Sequence, residues 1–477
     1  MPITALGRRA RVRVLAICCM SLFIVGLDNT IVNVALPSIR QDFNASVSEL
    51  QWTIDAYTLV LASLLMLSGS MADRLGRVRV FQVGLAVFTL GSLACSLAPS
   101  VGWLIVFRMV QAVGGSMLNP VAMSIIRNTF DDPRERAQAI GWWGAVVGVS
   151  LALGPVIGGA LVGLSWRAIF LVNIPVGLAA IALTALYVPE SRAAHPRRVD
   201  PVGQVLVIVM LASLTYAIIE GPNFGWSSAR IVGLFGLSVA ALAGLVFYEL
   251  RQREPLIELR FFRSAPFSGA TLIAVGAFVA LAGFLFLNTL YLQEVRDYSP
   301  LHAGLLTLPM AAAAVLCGPL SGRVVGTLGP RAPLLIGGAG IGLGSLLLTG
   351  LTATTSVGLL LAAYVIFGVG FGFVNPPITN TAVSGMPADQ AGVAAAVAST
   401  SRQIGQSLGV AIVGAVTTAS LAGATLHAGL AEASHTGWWI LTGCGAAVFV
   451  LGLVTTTVWA RRTAAQTARR LTSEVAA

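Results

Sequence analysis

Long uncharged apolar runs follow one another along almost the whole chain, parted by short loops that carry arginines. Wound as a helix, about 20 apolar residues match the hydrocarbon thickness of a bilayer. Runs of that kind fall near residues 11–35, 50–72, 79–99, 101–126, 137–163 and 167–188, then near 202–219 and 229–248. Six more lie near 265–292, 302–322, 332–351, 355–382, 392–420 and 436–459. Only 10% of the residues are charged, against about 25% in a soluble domain, so this chain has too little polar surface to face water. The 52 glycines suit helices that approach closely in a membrane. The expected fold is all-α and integral to the membrane, with fourteen transmembrane helices. The first run begins after basic residues, as a signal peptide would, but it is long, contains Asp28 and lacks a small-residue cleavage site. It reads as a retained span.

Arginine placement sets the orientation, because cytoplasmic loops attract positive charge. All 29 basic residues are arginine. With the N-terminus inside, 23 of them fall in inner segments, among them Arg197, Arg198 and Arg253, and 4 in outer ones. The remaining two, Arg108 and Arg402, lie within spans. This split requires an even number of spans and both termini in the cytoplasm. It also disposes of a nucleic-acid-binding reading of the +10 net charge, since the excess is spread over every inner loop. The longest polar stretches, 189–201 and 249–266, bracket spans seven and eight. The expected plan is a six-helix half over 1–190, two linker spans within 191–264, a second six-helix half over 265–460, and a cytoplasmic tail over 461–477. Glycines and arginines recur after the second span of each half, at Gly69–Arg79 and Gly318–Arg331. Repeated halves around a midplane site mark secondary transporters.

Several chemistries are excluded. A phosphate-binding P-loop needs a lysine after its glycines, and the chain has none, so a pump driven by ATP in that way is not expected. The histidines, His195, His302, His427 and His435, are scattered and no cysteine has metal-ligand spacing. Neither a metal site nor an enzyme's nucleophile–base pair is expected.

Charges inside spans are then the informative residues. Each costs roughly 2.5–3.5 kcal/mol at a helix centre, which makes it a candidate for function. Asp28 in span 1, Asp55 in span 2, Arg108 in span 4 and Arg402 in span 13 qualify. A carboxylate beside a guanidinium, reached by water from either side in turn, can take and release a proton. The competing reading is a tie that only holds helices together. Arg108, Gln111 and Gly115 share one face of span 4, and Asn29 and Asn33 lie four apart beside Asp28. The amides either pair across helices or line a polar cavity. Ser150, Gly154 and Gly158 recur every four residues in span 5, with Pro155 among them. They form a close-packing face with a possible kink. Gly368, Gly370 and Gly372 before Asn375-Pro376-Pro377 predict a bend in span 12.

On these residues the chain resembles the major facilitator superfamily, and within it the fourteen-span drug:proton antiporters, over nearly its whole length. Gly69-Ser-Met-Ala-Asp73-Arg74-Leu-Gly76-Arg77 is similar to the loop 2–3 motif, and Arg108-Met-Val-Gln111-Ala-Val-Gly114 to the span 4 motif, with Ala112 where a glycine is usual. Gly154-Pro155-Val-Ile-Gly158-Gly159 resembles the span 5 antiporter motif, and the segment from Leu27 to Pro37 the span 1 motif of the fourteen-span group. The resemblance implies export of hydrophobic drugs or antibiotics across the cytoplasmic membrane in exchange for protons, with no cofactor beyond the proton gradient. The implied partners are a small amphipathic organic substrate, protons and the lipid bilayer. It implicates Arg108 in proton transfer; with the costly charges and amides above, Asp28, Asp55 and Arg108 are the expected proton-coupling residues, and Asn29, Asn33, Gln111, Arg402 and Gln403 the expected substrate cavity. Asp73, with Arg74 and Arg77 as partners, would gate the cytoplasmic mouth, and Gly69 and Gly76 would permit its tight turn. Spans of the second half hold no carboxylate, which disfavours divalent cations as substrates. Export of an endogenous metabolite, lipid or amino acid is the alternative on the same fold. Inward symport is disfavoured by the span 5 motif.

Overall fold

The structure, a computed structural model, describes residues 7–130, 132–192, 199–252, 255–384, 386, 390–421 and 425–475. Arg197, Arg198, Arg253 and His195 lie outside the described residues. Among the described residues the regular structure is helical throughout.

The first six crossings are α1 (Arg8–Phe43), α2 (Val47–Leu75), α3 (Arg77–Ser96), α4 (Val101–Thr129), α5 (Pro133–Val162) and α6 (Ala168–Tyr187, interrupted at Val172). Next come α7 (Pro201–Phe224) and α8 (Ala229–Glu249). The last six are α9 (Ala265–Val295, its final turn a π-helix), α10 (Pro300–Leu328), α11 (Arg331–Leu346), α12 (Val357–Val383), α13 (Ala391–Leu421) and α14 (Leu426–Thr455, interrupted at Ser434). Thirteen of these are long and apolar enough to cross a bilayer. The other, α11, has 16 helical residues and runs on in turns over 347–350. A final helix, α15 (Val458–Val475), follows where only a tail was expected.

Many helices overrun the apolar windows that reveal them. At 36 residues, α1 is about 54 Å long, well beyond a hydrocarbon core of about 30 Å, so its ends project from the membrane. Local chemistry sets the ends. Ser46 and Glu49 form a reciprocal capping box at the start of α2, and Ser100, Ser228 and Ser356 accept from backbone amides at the starts of α4, α8 and α12. One expectation is corrected. Gly69 lies inside α2 rather than in a turn, because the helix continues to Leu75. The α12 helix continues through Pro376 and Pro377, which a membrane helix tolerates when its neighbours satisfy the freed backbone groups.

Two compact units divide the chain. The first comprises Met1–Gln204 with Ser299–Leu305. Within it α1 and α5 meet through small residues: a Cβ on Gly26 would come within 2.8 Å of Ser150 Cβ, and one on Gly158 within 2.8 Å of Ile31 Cγ1. Gly154 faces Thr30 in the same seam. Ser150, Gly154 and Gly158 thus form one packing face, and α5 continues through Pro155. Gly159 faces Leu301 in the short segment that belongs to this unit.

The second unit comprises Val205–Tyr298 and Leu306–Ala477. Its core holds Phe284, Tyr364, Phe367 and Trp438: Phe284 stacks on Phe367 with centroids 4.5 Å apart, and meets Tyr364 and Trp438 edge-on.

The halves share a helix pattern that the loop echo only hinted at. Both α4 and α12 start after a serine cap. The eighth residue is Arg108 in one and Tyr364 in the other. Gly114 and Gly370 occupy the fourteenth position, and each packs on the backbone of the preceding helix. Asn119-Pro120 and Asn375-Pro376 then fall at matching positions.

Candidate functional site

Four helices of the first unit deliver polar side chains to one point in its interior. Asp28 comes from α1, Ser92 from α3, Arg108 and Gln111 from α4, and Asn173 from α6. All are 0% or 1% exposed. The Arg108 guanidinium pairs with Asp28 Oδ2 through Nη1. Gln111 Nε2 donates to Asp28 Oδ1 at 2.9 Å, and Asn173 Nδ2 donates to the same oxygen at 3.1 Å. Both amides also reach Ser92 Oγ, at 3.2 and 3.0 Å, and that hydroxyl donates to the Phe170 carbonyl at 2.9 Å.

This closed set makes physical sense. A buried carboxylate is tolerated only when paired and hydrogen-bonded, and Asp28 has three donors around it. Position along the helices brings them together. Arg108 and Gln111 are three apart on α4 and so share a face. The short 3.8 Å approach of Cys95 Sγ to Gln111 Oε1 and the glycine at 91, where a Cβ would meet Gln111 Cα at 2.7 Å, bring α3 tightly against that face.

Arg108 has further support. Its Nε donates to the Thr53 carbonyl at 3.3 Å and its Nη1 to Gln111 Oε1 at 2.8 Å. Its guanidinium carbon lies 4.1 Å from the Tyr57 ring centroid, a cation–π distance. Apart from Asp28, the guanidinium thus has two oxygen acceptors and an aromatic face.

The structure joins some of the expected residues and leaves others apart. Asp28, Arg108 and Gln111 come together. Asp55 is buried on α2, where Thr58 Oγ1 lies 3.5 Å from its Oδ1, and it takes no part in the bonds around Asp28 given above. Asn33 Nδ2 donates to the Asn29 carbonyl at 3.2 Å, one turn back in its own helix. Asn173 was missed, because a lone amide in an apolar run carries no local signal.

In the second unit, Arg402 donates to Thr379 Oγ1 and its guanidinium lies 6.0 Å from the Phe278 ring. Along α13, Thr400 Oγ1, Gln403 Oε1, Gln406 Oε1 and Ser407 Oγ have no hydrogen-bond partner among the described residues. The position matching Arg108 carries Tyr364, whose hydroxyl meets Asn288 Oδ1, and the one matching Gln111 carries Phe367. Where the first unit builds an ion pair, the second builds an aromatic stack.

The loop motif behaves as a joint. Asp73 Oδ1 accepts from Arg77 Nη2 at 2.8 Å, while Arg74 is exposed. Gly76 ends α2 and starts α3 with φ 113°, a left-handed conformation that glycine adopts without strain. Having no side chain, it offers α3 no cap. Glu190, beyond α6, supplies one: its carboxylate accepts from Val78 N at 3.0 Å and Arg79 N at 3.2 Å, and Arg77 N donates to the Ser191 carbonyl at 2.9 Å. A carboxylate at a helix N-terminus also meets the positive end of its dipole.

Known proteins resemble this chain in sequence or in fold. The chain is 38% identical over 415 residues to "Multidrug resistance protein Stp" of Mycobacterium tuberculosis, covering 87% of this chain and 77% of the relative. It is 37% identical over 397 residues to the "Tetracenomycin C resistance and export protein" of Streptomyces glaucescens, covering 83% and 74%. Among solved structures, a POT family transporter in complex with 5-aminolevulinic acid superposes with a TM-score of 0.70 at 14% identity, covering 97% of this chain and 100% of that one, a likeness of fold alone. The family model described as Major Facilitator Superfamily matches residues 18–410, and with the helix count and the repeated halves this establishes that the chain belongs to the major facilitator superfamily.

Proposed function

We propose that this protein exports hydrophobic drugs or antibiotics across the cytoplasmic membrane in exchange for protons, with both termini in the cytoplasm. The observation that carries the coupling is the Asp28–Arg108 pair, fully buried and held by Gln111 and Asn173. The relatives named for multidrug resistance and for resistance and export support the direction and the class of cargo. Asp28 is the proton-exchanging group, Arg108 tunes it, and Asp55 assists from α2. The domain division is 1–190, 191–264 and 265–460. Asn29, Asn33 and Gln111 belong to the substrate side of the first half. Arg402 and Gln403 belong to that of the second, where the unpartnered oxygens along α13 offer acceptors to a passing substrate. Asp73, with the Glu190 cap, governs the cytoplasmic joint.

An exporter must release substrate as protons bind. A span 1 carboxylate can link the two, since its charge changes when either ligand arrives. Moving one charge across 100 mV supplies roughly 2.3 kcal/mol. The test is purified protein in liposomes with an imposed pH gradient and a compound panel chosen by susceptibility in a pump-deficient host. Expected is gradient-dependent substrate movement that a protonophore abolishes. Movement unaffected by the protonophore would overturn the coupling. Movement of metabolites alone would favour the endogenous-export alternative.

A further inference from the structure

The C-terminal helix α15 has two unlike faces. Ala460, Thr467 and Leu471 are at most 5% exposed and pack inward. Thr463 belongs to the same side: Ala265 N, the first residue of α9, donates to its Oγ1 at 3.0 Å. The opposite side carries Arg461, Arg462 and Arg469, all exposed. No acidic residue occurs between Val458 and Leu471. Val458 and Trp459 are 65% and 59% exposed at the start of the helix.

Its attachments fix where α15 lies. Only Thr456 and Thr457 separate it from the end of α14, and Thr463 holds it to the first residue of α9. It is thus tethered at two points where helices enter the bilayer, and it cannot stand off in solution. Beside it runs the 3-10 turn Leu259–Arg263, with Phe262 and Arg263 exposed. Exposed aromatic rings beside arginines at a membrane edge are the chemistry of an interfacial helix.

We propose that α15 is a lipid-binding element: Arg461, Arg462 and Arg469 hold anionic phospholipid headgroups while Trp459 seats at the headgroup level. The three arginines extend over about 12 Å along the helix, enough to engage more than one headgroup. The choice of the inner leaflet rests on the orientation proposed above; the headgroup contact itself does not.

The full-length protein is placed in nanodiscs of phosphatidylcholine, with or without phosphatidylglycerol, and amide hydrogen exchange is followed across 458–471. Each arginine near an anionic surface strengthens attachment about fivefold. Exchange in this segment is expected to slow by more than about tenfold with phosphatidylglycerol, and high salt should reverse the effect. R461Q/R462Q/R469Q should exchange at one rate in both lipids while α14 stays protected. Those arginines lie outside the proton and substrate sites, so gradient-driven transport in neutral lipid should persist. Soluble glycerophosphate, offered in neutral nanodiscs, should give no protection. Equal exchange of the unmodified chain in both lipids would overturn the proposal, and so would protection by glycerophosphate alone. A C-terminal reporter found on the outer face would overturn the orientation and leave the lipid result standing.

Discussion

Asn173 donates its amide to Asp28 Oδ1 at 3.1 Å from 145 residues further along the chain. It thereby links the interrupted helix α6 to the one buried carboxylate that faces Arg108. Asn173→Ala would remove one of three donors from that carboxylate. Hydrogen bonds to charged groups contribute about 1.5–3 kcal/mol, so proton-driven efflux should fall by roughly tenfold or more, with expression and insertion unchanged. Efflux equal to the parent, measured in liposomes at matched protein, would assign Asn173 to packing only.

Asp28→Asn keeps an oxygen for Arg108 and removes the exchangeable proton. Gradient-driven efflux should be lost while an uncharged substrate still binds, and Asp28→Glu should keep partial activity with an altered pH profile. Asp28→Ala should additionally destabilise the protein by about 3–5 kcal/mol, because it strands a buried guanidinium. Binding by calorimetry, transport in liposomes and thermal unfolding separate these effects. Full coupling in purified Asp28→Asn would move the proton role to Asp55.

Gly158→Val places a branched side chain against Ile31 in the seam of α1 and α5. Overpacking of this kind costs about 1–3 kcal/mol. The expected result is a lowered unfolding temperature together with lost efflux. Gly69→Ala is the contrast: a Cβ there is 3.9 Å from Pro120 Cβ, ordinary contact, so activity and stability should stay near those of the parent.

Glu190→Gln weakens the cap on α3, and loss of a helix cap costs typically about 1 kcal/mol. Asp73→Asn weakens the neighbouring clasp to Arg77. If both govern one joint, the double variant should transport no worse than the weaker single variant. Purely additive losses in a double-mutant cycle would show two unrelated contacts.

Glu258 offers a pH test outside the membrane. Burial pushes its carboxyl up, but hydrogen bonds and charge from Arg260 outweigh this and hold it below the usual carboxylate range. A lowered folded value stabilises the 3-10 turn above the unfolded pKa of about 4.3, and that contribution disappears as pH falls through the folded value. Protection of 259–263, taken relative to the intrinsic exchange rate at each pH, should therefore be full at neutral pH and fall only under acid. Glu258→Gln should show the lowered protection at neutral pH, and no change there would leave the turn held by packing alone.

Much was legible before any tertiary structure. Apolar run length is a property of contiguous residues, and so is the arginine spacing between runs, so fourteen crossings and their repeated halves could be read directly. Asp28 and Arg108 also stood out, because a charge in an apolar run is costly whatever surrounds it. Gln111 followed from helical periodicity. The period-four spacing of Ser150, Gly154 and Gly158 named a packing face without naming its partner.

What remained depended on which helices meet. Asn173, Ser92 and the Glu190 cap act across 78 to 145 residues of sequence, and no local pattern encodes such distances. The helix ends also overran their apolar windows, which moved Gly69 out of its expected turn, because a helix continues past the bilayer wherever backbone bonds and caps can be satisfied. The sequence alone determined the solvent, the number of crossings and the costly charges, since each is the free energy of a residue in its own run. Tertiary packing alone decided which donors surround Asp28, and why the matching place in the second half holds Phe284, Tyr364 and Phe367 instead, since satisfying a buried charge requires groups from several helices at one point.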